Sequence, residues 1–211
     1  MYYMKFDGII FDLDGTLWDS SEGICGTWQK VLDEYPFINE KITPAKLRAC
    51  MGLPLDEIGK KLFPNLTDEL RHELMDKCCE LENVYLTEHG GKLYPDLENI
   101  LERLSKKHKL FIVSNCQSGY IESFLTSHKT AKYFTDIECI GNTGLSKGEN
   151  NKLIIKRNSI KNAVYVGDTQ GDADSAEYAG IPFIYASYGF GNVKEYDYIL
   201  NTIGDIEKLE L

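Results

Sequence analysis

Apolar residues change their spacing twice along this chain. Gly8-Ile9-Ile10-Phe11 is a short continuous apolar run and reads as a buried strand. Helical spacing follows, with Ile24, Trp28, Val31, Leu32 and Tyr35 on one stripe. Thr43-Pro44 has the form of an N-cap with proline at the first helical position, opening a helix through Leu47 and Cys50. Pro54 and the segment Leu55 to Leu62 predict another short helix. Thr67 caps a long one whose stripe is Leu70, Leu74, Cys78, Leu81 and Tyr85, ended by Gly90-Gly91.

From Tyr94 strands and helices alternate. Leu97, Ile100, Leu101 and Leu104 form a helix face, and Leu110 to Val113 is an apolar strand. Tyr120, Ile121, Phe124 and Leu125 mark the next helix. Strands are expected at Ile137 to Ile140, Ala163 to Val166, Phe183 to Ala186 and Tyr198 to Leu200. Helices are expected at Glu149 to Arg157 and Asp172 to Ala179. Short apolar strands alternating with amphipathic helices imply an α/β fold, a parallel sheet covered on both faces. The expected division is a core of residues 1–17 and 90–211, with an all-helical insertion over residues 18–89.

Composition narrows the partners. The 211 residues carry a formal charge of −10, which argues against a nucleic-acid or anionic-membrane surface, since both need basic patches. Met1 to Lys5 lacks a basic segment followed by an apolar one, and no run approaches a membrane span. The six cysteines form no CxxC pair and no zinc spacing, so free thiols and a cytoplasmic location are expected. The four histidines fall in no metal spacing and are expected at the surface.

In a parallel sheet, ligands bind at the carboxyl ends of the strands. The polar residues after each apolar run are therefore the candidates. They are Asp12 and Asp14, then Ser114 and Asn115, then the segment Gly167-Asp168-Thr169-Gln170-Gly171-Asp172. Lys147 stands in a loop before the fourth strand, with Lys152 five residues on as the other candidate lysine. Two acids as close as Asp12 and Asp14 repel, unless a cation lies between them or one keeps a proton. Gly15 permits a tight turn, and Thr16 supplies a hydroxyl and a backbone N–H. Carboxylates with a hydroxyl, an amide and a lysine suit a hard divalent cation beside an anion. The run from Asp168 also looks like a calcium loop, but it has Ala173 at the sixth position and Ala179 at the twelfth, which excludes one. The aromatic run Tyr185 to Gly191 reads as packing and turn.

Taken together these residues resemble the haloacid dehalogenase-like superfamily, on its phosphatase side. Asp12-Leu13-Asp14-Gly15-Thr16 matches its DxDGT motif, Ser114 its second, Lys147 its third and Gly167 to Asp172 its acidic fourth. The order holds over essentially the whole chain, and the helical insertion resembles that superfamily's cap on a Rossmann-like core. Phosphoglycolate-phosphatase-like members are the nearest in pattern.

The resemblance implies a magnesium-dependent (Mg2+) phosphatase acting on a small phosphorylated metabolite. Asp12 would be the nucleophile that carries a phosphoaspartyl group, and Asp14 the acid and base. Asp12, the Asp14 carbonyl and Asp168 would hold the metal, with Asp172 behind them through water. Lys147 would be catalytic, and with Thr16, Ser114 and Asn115 would hold the phosphate, at the start of a helix. Arg48 and Gly52, in the cap, would help to select the substrate, Arg48 by meeting a carboxylate or second phosphate. A β-phosphoglucomutase-like phosphomutase shares these motifs, the two differing in how the cap excludes water. A receiver-like phosphoacceptor or phosphate-binding module shares the acids, the hydroxyl and the lysine but not the insertion. The pattern does not separate a monomer from a homodimer.

Overall fold

The computed structural model describes residues 6–209; the N-terminal segment read above for a leader, residues 1–5, and residues 210–211 lie outside them. Strand β1 (Gly8–Phe11) is followed by β2 (Trp18–Asp19). Four helices come next: α1 (Ser21–Leu32), α2 (Pro44–Arg48), α3 (Leu55–Leu62) and α4 (Asp68–His89). Strand β3 (Lys92–Leu93) pairs antiparallel with β2, so the two ends of the helical segment meet. Then follow α5 (Leu97–Ser105), β4 (Lys109–Ser114), α6 (Tyr120–Ser127), β5 (Phe134–Cys139) and α7 (Ile140–Thr143). The chain continues through α8 (Lys147–Arg157), β6 (Ala163–Gly167), α9 (Gln170–Ala179), β7 (Phe183–Ala186) and β8 (Tyr198–Leu200).

Six strands form one parallel sheet in the order β5-β4-β1-β6-β7-β8. Side chains alternate between its two faces and both faces are covered, which is why the strands read as unbroken apolar runs. Ile9, Phe11, Ile112 and Val166 belong to one core, and Ile10, Phe111, Val113 and Tyr165 to the other. The chain leaves β1 for β4 and β5 on one side, then crosses to β6, β7 and β8 on the other. That reversal opens a crevice at the carboxyl ends of β1, β4 and β6. The register pairs Phe11 with Ile112 and with Val166, so Asp12, Ser114 and Asp168 lie at neighbouring strand ends.

Several expectations need correction. The strand expected at 137–140 starts earlier, at Phe134, and Ile140 already opens α7. The helices expected from Glu149 and Asp172 begin at Lys147 and Gln170, because Ser146 and Thr169 build capping boxes two or three residues upstream. The buried face of α4 is Arg71, Leu74, Met75, Cys78, Cys79, Glu82 and Leu86, whereas Leu70, Leu81 and Tyr85 are only half-buried. This helix packs on α1 and α6 at once, which widens and turns its covered stripe. Two of the stripe's residues are charged, so a count of apolar positions misses them. His108 is also buried, its ring nitrogen 2.8 Å from the Phe6 carbonyl, and His128 is half-buried beside Trp18; only His72 and His89 are exposed. Among the described residues no helix is long and apolar enough to cross a membrane, and all six cysteines are free thiols.

Candidate active site

The turn after β1 is built on one carbonyl. Leu13 accepts hydrogen bonds from the backbone N–H groups of Thr16, Leu17 and Trp18, and Gly15 N donates to Trp18 O at 2.9 Å. Gly15 has φ +81, and a Cβ there would run into the Asp168 carboxylate. With Leu13 wholly buried, Asp12 and Asp14 on either side of it turn to the crevice, 1% and 8% exposed. Asp12 N donates to Val166 O at 2.8 Å, which anchors the residue to the neighbouring strand.

The two acids have different partners. Lys147 Nζ donates to Asp12 Oδ1 at 2.9 Å and to Asp172 Oδ1 at 2.7 Å. Asp14 Oδ1 instead accepts from Ser20 Oγ at 2.6 Å and from Tyr120 Oη at 3.0 Å. Burial and the nearby Asp172 push the Asp12 carboxyl up to about 6, against the pull of Lys147. Burial pushes Asp14 up to about 7, against its hydrogen bonds and with the Asp12 charge adding to the rise. For Lys147, burial acts downward, but the two carboxylates outweigh it and hold the amine charged.

Lys147 is therefore the lysine at the acids, at the first turn of α8 rather than in the preceding loop. Lys152 lies over the Tyr178 ring, 3.9 Å from its centroid. Asp172 has little left to offer: Oδ2 accepts from Asp168 N, Thr169 N and Thr169 Oγ1, and Oδ1 from Lys147 and, at 3.4 Å, Tyr165 Oη.

Carboxylate oxygens of Asp12, Asp168 and Asp172 lie within 4.8 Å of one another. Asp12 Oδ2 and Asp168 Oδ1 are buried and have no hydrogen-bond partner. Burial and the charges of Asp172 and Asp12 raise the Asp168 carboxyl well above its ordinary range. Unpaired buried carboxylate oxygens are costly unless a cation meets them. An all-oxygen anionic donor set of this kind fits a hard divalent ion such as magnesium. The Asp14 carboxylate is not part of this trio, and its Oδ1 is held by Ser20 and Tyr120.

Other expected residues are placed less simply. Thr16 is fully buried; its N–H is taken up by Leu13 O, and its hydroxyl has no partner. Ser114 ends β4, but the next helix starts only at Tyr120, so Ser114 and Asn115 sit in a loop and not at a helix N-terminus. Asn115 Nδ2 donates to Gly52 O at 2.9 Å, and Gly52, with φ +84, lies against the Thr169 side chain. Arg48 is committed elsewhere: Nε and Nη2 both donate to Asp19 Oδ2, at 3.0 and 2.7 Å.

Sequence reasoning missed Ser20, Tyr120, Glu82 and the backbone of Phe190. Phe190 N donates to Asp168 Oδ2 at 2.7 Å, so the aromatic turn after β7 orients a central acid. Glu82, on α4, is buried, with Oε2 accepting from Trp28 Nε1 and Oε1 from Gln117 Nε2, both at 2.5 Å. Burial pushes its carboxyl up to about 8. Ser20 follows the opening motif by four residues, within local reach of Asp14, whereas Tyr120 lies 106 positions from Asp14 and gives no local signal.

A cavity of about 50 Å³ separates the helical segment from the sheet's carboxyl edge. Asp14, Ser114, Asn115, Glu82 and Tyr120 reach its wall, and most of the rest is apolar.

The match to known proteins agrees with this geometry. Residues 9–186 match the family model of haloacid dehalogenase-like hydrolases. A phosphoglycolate phosphatase of Aquifex aeolicus is 30% identical over 213 residues, covering 95% of each chain. One from Escherichia coli O157:H7 is 25% identical over 94% of this chain and 90% of its own. The crystal structure of a haloacid dehalogenase-like hydrolase from Bacteroides fragilis superposes with a TM-score of 0.83 at 26% identity, covering 96% of this chain and all of the other.

Proposed function

The chain belongs to the haloacid dehalogenase-like hydrolases and is a phosphatase, and from that premise we propose that it hydrolyses a small phosphomonoester through a phosphoaspartyl group on Asp12, with magnesium bound. The observation that carries this is the division of labour between the acids. Asp12 has one oxygen fixed by Lys147 and the other unpaired, while Asp14 has one oxygen fixed by Ser20 and Tyr120 on the side of the cavity.

In this reading one carboxylate oxygen of Asp12 attacks phosphorus, the other remaining for the metal, and the bond from phosphorus to the ester oxygen breaks. Asp14 gives its proton to that leaving oxygen. A water then attacks the phosphoryl group, gives a proton back to Asp14, and the bond to Asp12 breaks. Asp12, Asp168 and the Asp14 carbonyl would hold the metal, with Asp172 fixing Asp168 and Lys147 from behind. Bound there, magnesium would neutralise charge on the phosphoryl oxygens. Lys147, bonded to Asp12, contributes the same kind of stabilisation. In this reading Ser114 and Asn115 hold the phosphate. The helices of residues 21–89 act as the cap that keeps bulk water from the acids.

Purified protein with magnesium should release phosphate from p-nitrophenyl phosphate and stop on addition of EDTA. No release with any divalent cation would overturn the reading. Tyr120→Phe removes one of the two donors that position Asp14. A hydrogen bond to a charged group is worth about 1.5–3 kcal/mol, so kcat is expected to fall by about ten- to a hundredfold. An unchanged kcat in steady-state assays would show that Ser20 positions Asp14 unaided.

A further inference from the structure

The wall of the cavity next to Asp14 has an unexpected charge balance. The substrate's leaving group must lie on the Asp14 side, because Asp14 is the proton donor. No lysine, arginine or histidine lines that cavity among the described residues. Its carboxyl side chains are Asp14 and Glu82, both pushed toward the neutral form by burial, and its apolar wall includes Ile24, Leu47, Leu55 and Ile58. Arg48, the basic residue expected to meet an anionic substrate group, is held by Asp19 and does not reach the wall.

We propose that this phosphatase selects an uncharged, hydroxylated leaving group of only a few non-hydrogen atoms, and that Glu82 is the residue that meets its hydroxyl. The inference rests on the phosphatase reading and deepens it. A cavity of about 50 Å³ has room for a few water-sized groups. An anion placed there would be stripped of water and given no counter-charge, next to a carboxyl group. A neutral alcohol meets no such penalty. Its carbons face the apolar wall, and its hydroxyl has an acceptor in Glu82, since each carboxylate oxygen there accepts only one hydrogen bond from the protein and can take another. Trp28 from α1 and Gln117 from the loop after β4 fix both Glu82 oxygens, so the carboxyl cannot swing away from an unsuitable substrate. The phosphoglycolate named for the bacterial relatives carries a carboxylate on its leaving group, and this cavity disfavours it.

The decisive pair is 2-hydroxyethyl phosphate against phosphoglycolate, which differ by a hydroxymethyl group in place of a carboxylate. With magnesium, kcat/KM of the wild type should favour the neutral ester by at least about tenfold, or about 1.4 kcal/mol. Glu82→Leu should shrink that ratio several-fold, chiefly by raising KM for 2-hydroxyethyl phosphate. Calorimetry with Asp12→Asn protein should show the same order of affinities without turnover. Equal or better use of phosphoglycolate by the wild type overturns the proposal, even if Glu82→Leu fails to fold. A ratio unmoved in folded Glu82→Leu removes Glu82 from it. Release from p-nitrophenyl phosphate with no preference within the pair sinks this inference alone. No release from any ester sinks the phosphatase reading and this one with it.

Discussion

Asp12→Asn should abolish phosphate release, with kcat reduced by a factor on the order of 10³ or more. An amide has no negative charge to place on phosphorus and forms no stable phosphoryl ester. The shape of the site should survive, because the Asn oxygen can still accept from Lys147, which donates to Asp12 Oδ1 at 2.9 Å. Stability should hold or rise. The wild-type site crowds Asp12, Asp168 and Asp172 within 4.8 Å, and the substitution removes one of three like charges. Two measurements check this: steady-state release from p-nitrophenyl phosphate, and mass spectrometry of acid-quenched protein for a phosphoryl adduct. An Asp12→Asn protein with a tenth of wild-type kcat, or with an adduct still present, would remove Asp12 from the role of nucleophile.

Lys147→Ala should damage both activity and fold. The amine is 4% exposed and bridges Asp12 Oδ1 and Asp172 Oδ1 at 2.9 and 2.7 Å. Its removal leaves two buried carboxylates facing each other without a counter-charge. Breaking a buried pair in this way costs about 3–5 kcal/mol. For a chain of this length that lowers Tm by roughly 10 °C. The transition state also loses a fixed positive charge, so kcat should drop by a further factor of about 10² or more. Lys147→Arg should not restore it, because a planar guanidinium is wider and the site is closed by Tyr165 and α9. Lys152→Ala is the control, and thermal melts with kinetics decide. A Lys147→Ala protein with wild-type Tm and kcat would show that the bridge contributes to neither.

The opening motif was legible because its information is local. A strand end fixes which way alternate side chains point, so Asp12 and Asp14 share the crevice while Leu13 enters the core. The strand and helix order was legible for a similar reason. Apolar periodicity records which faces are covered, as at Leu97, Ile100, Leu101 and Leu104, all buried in α5. Capping chemistry displaced the starts of α8 and α9, and with them Lys147 and Asp172, into helical first turns. The periodic reading failed on α4, where Arg71 and Glu82 are buried with their polar atoms bonded. Hydropathy scores such residues as surface.

By itself, then, the sequence determined a parallel α/β sheet with a helical insertion, and a crevice with two acids at its first strand. Both follow from short-range rules of side-chain direction and burial. Only the tertiary structure decided the rest. It chose Lys147 over Lys152, gave Asp14 to Ser20 and Tyr120, turned Arg48 to Asp19, and put Glu82 at the cavity wall. Each of these depends on where a side chain from a distant element comes to rest. The two acids are therefore encoded in one short local motif, while the lysine, the other carboxylates and the cavity wall come from elements far along the chain.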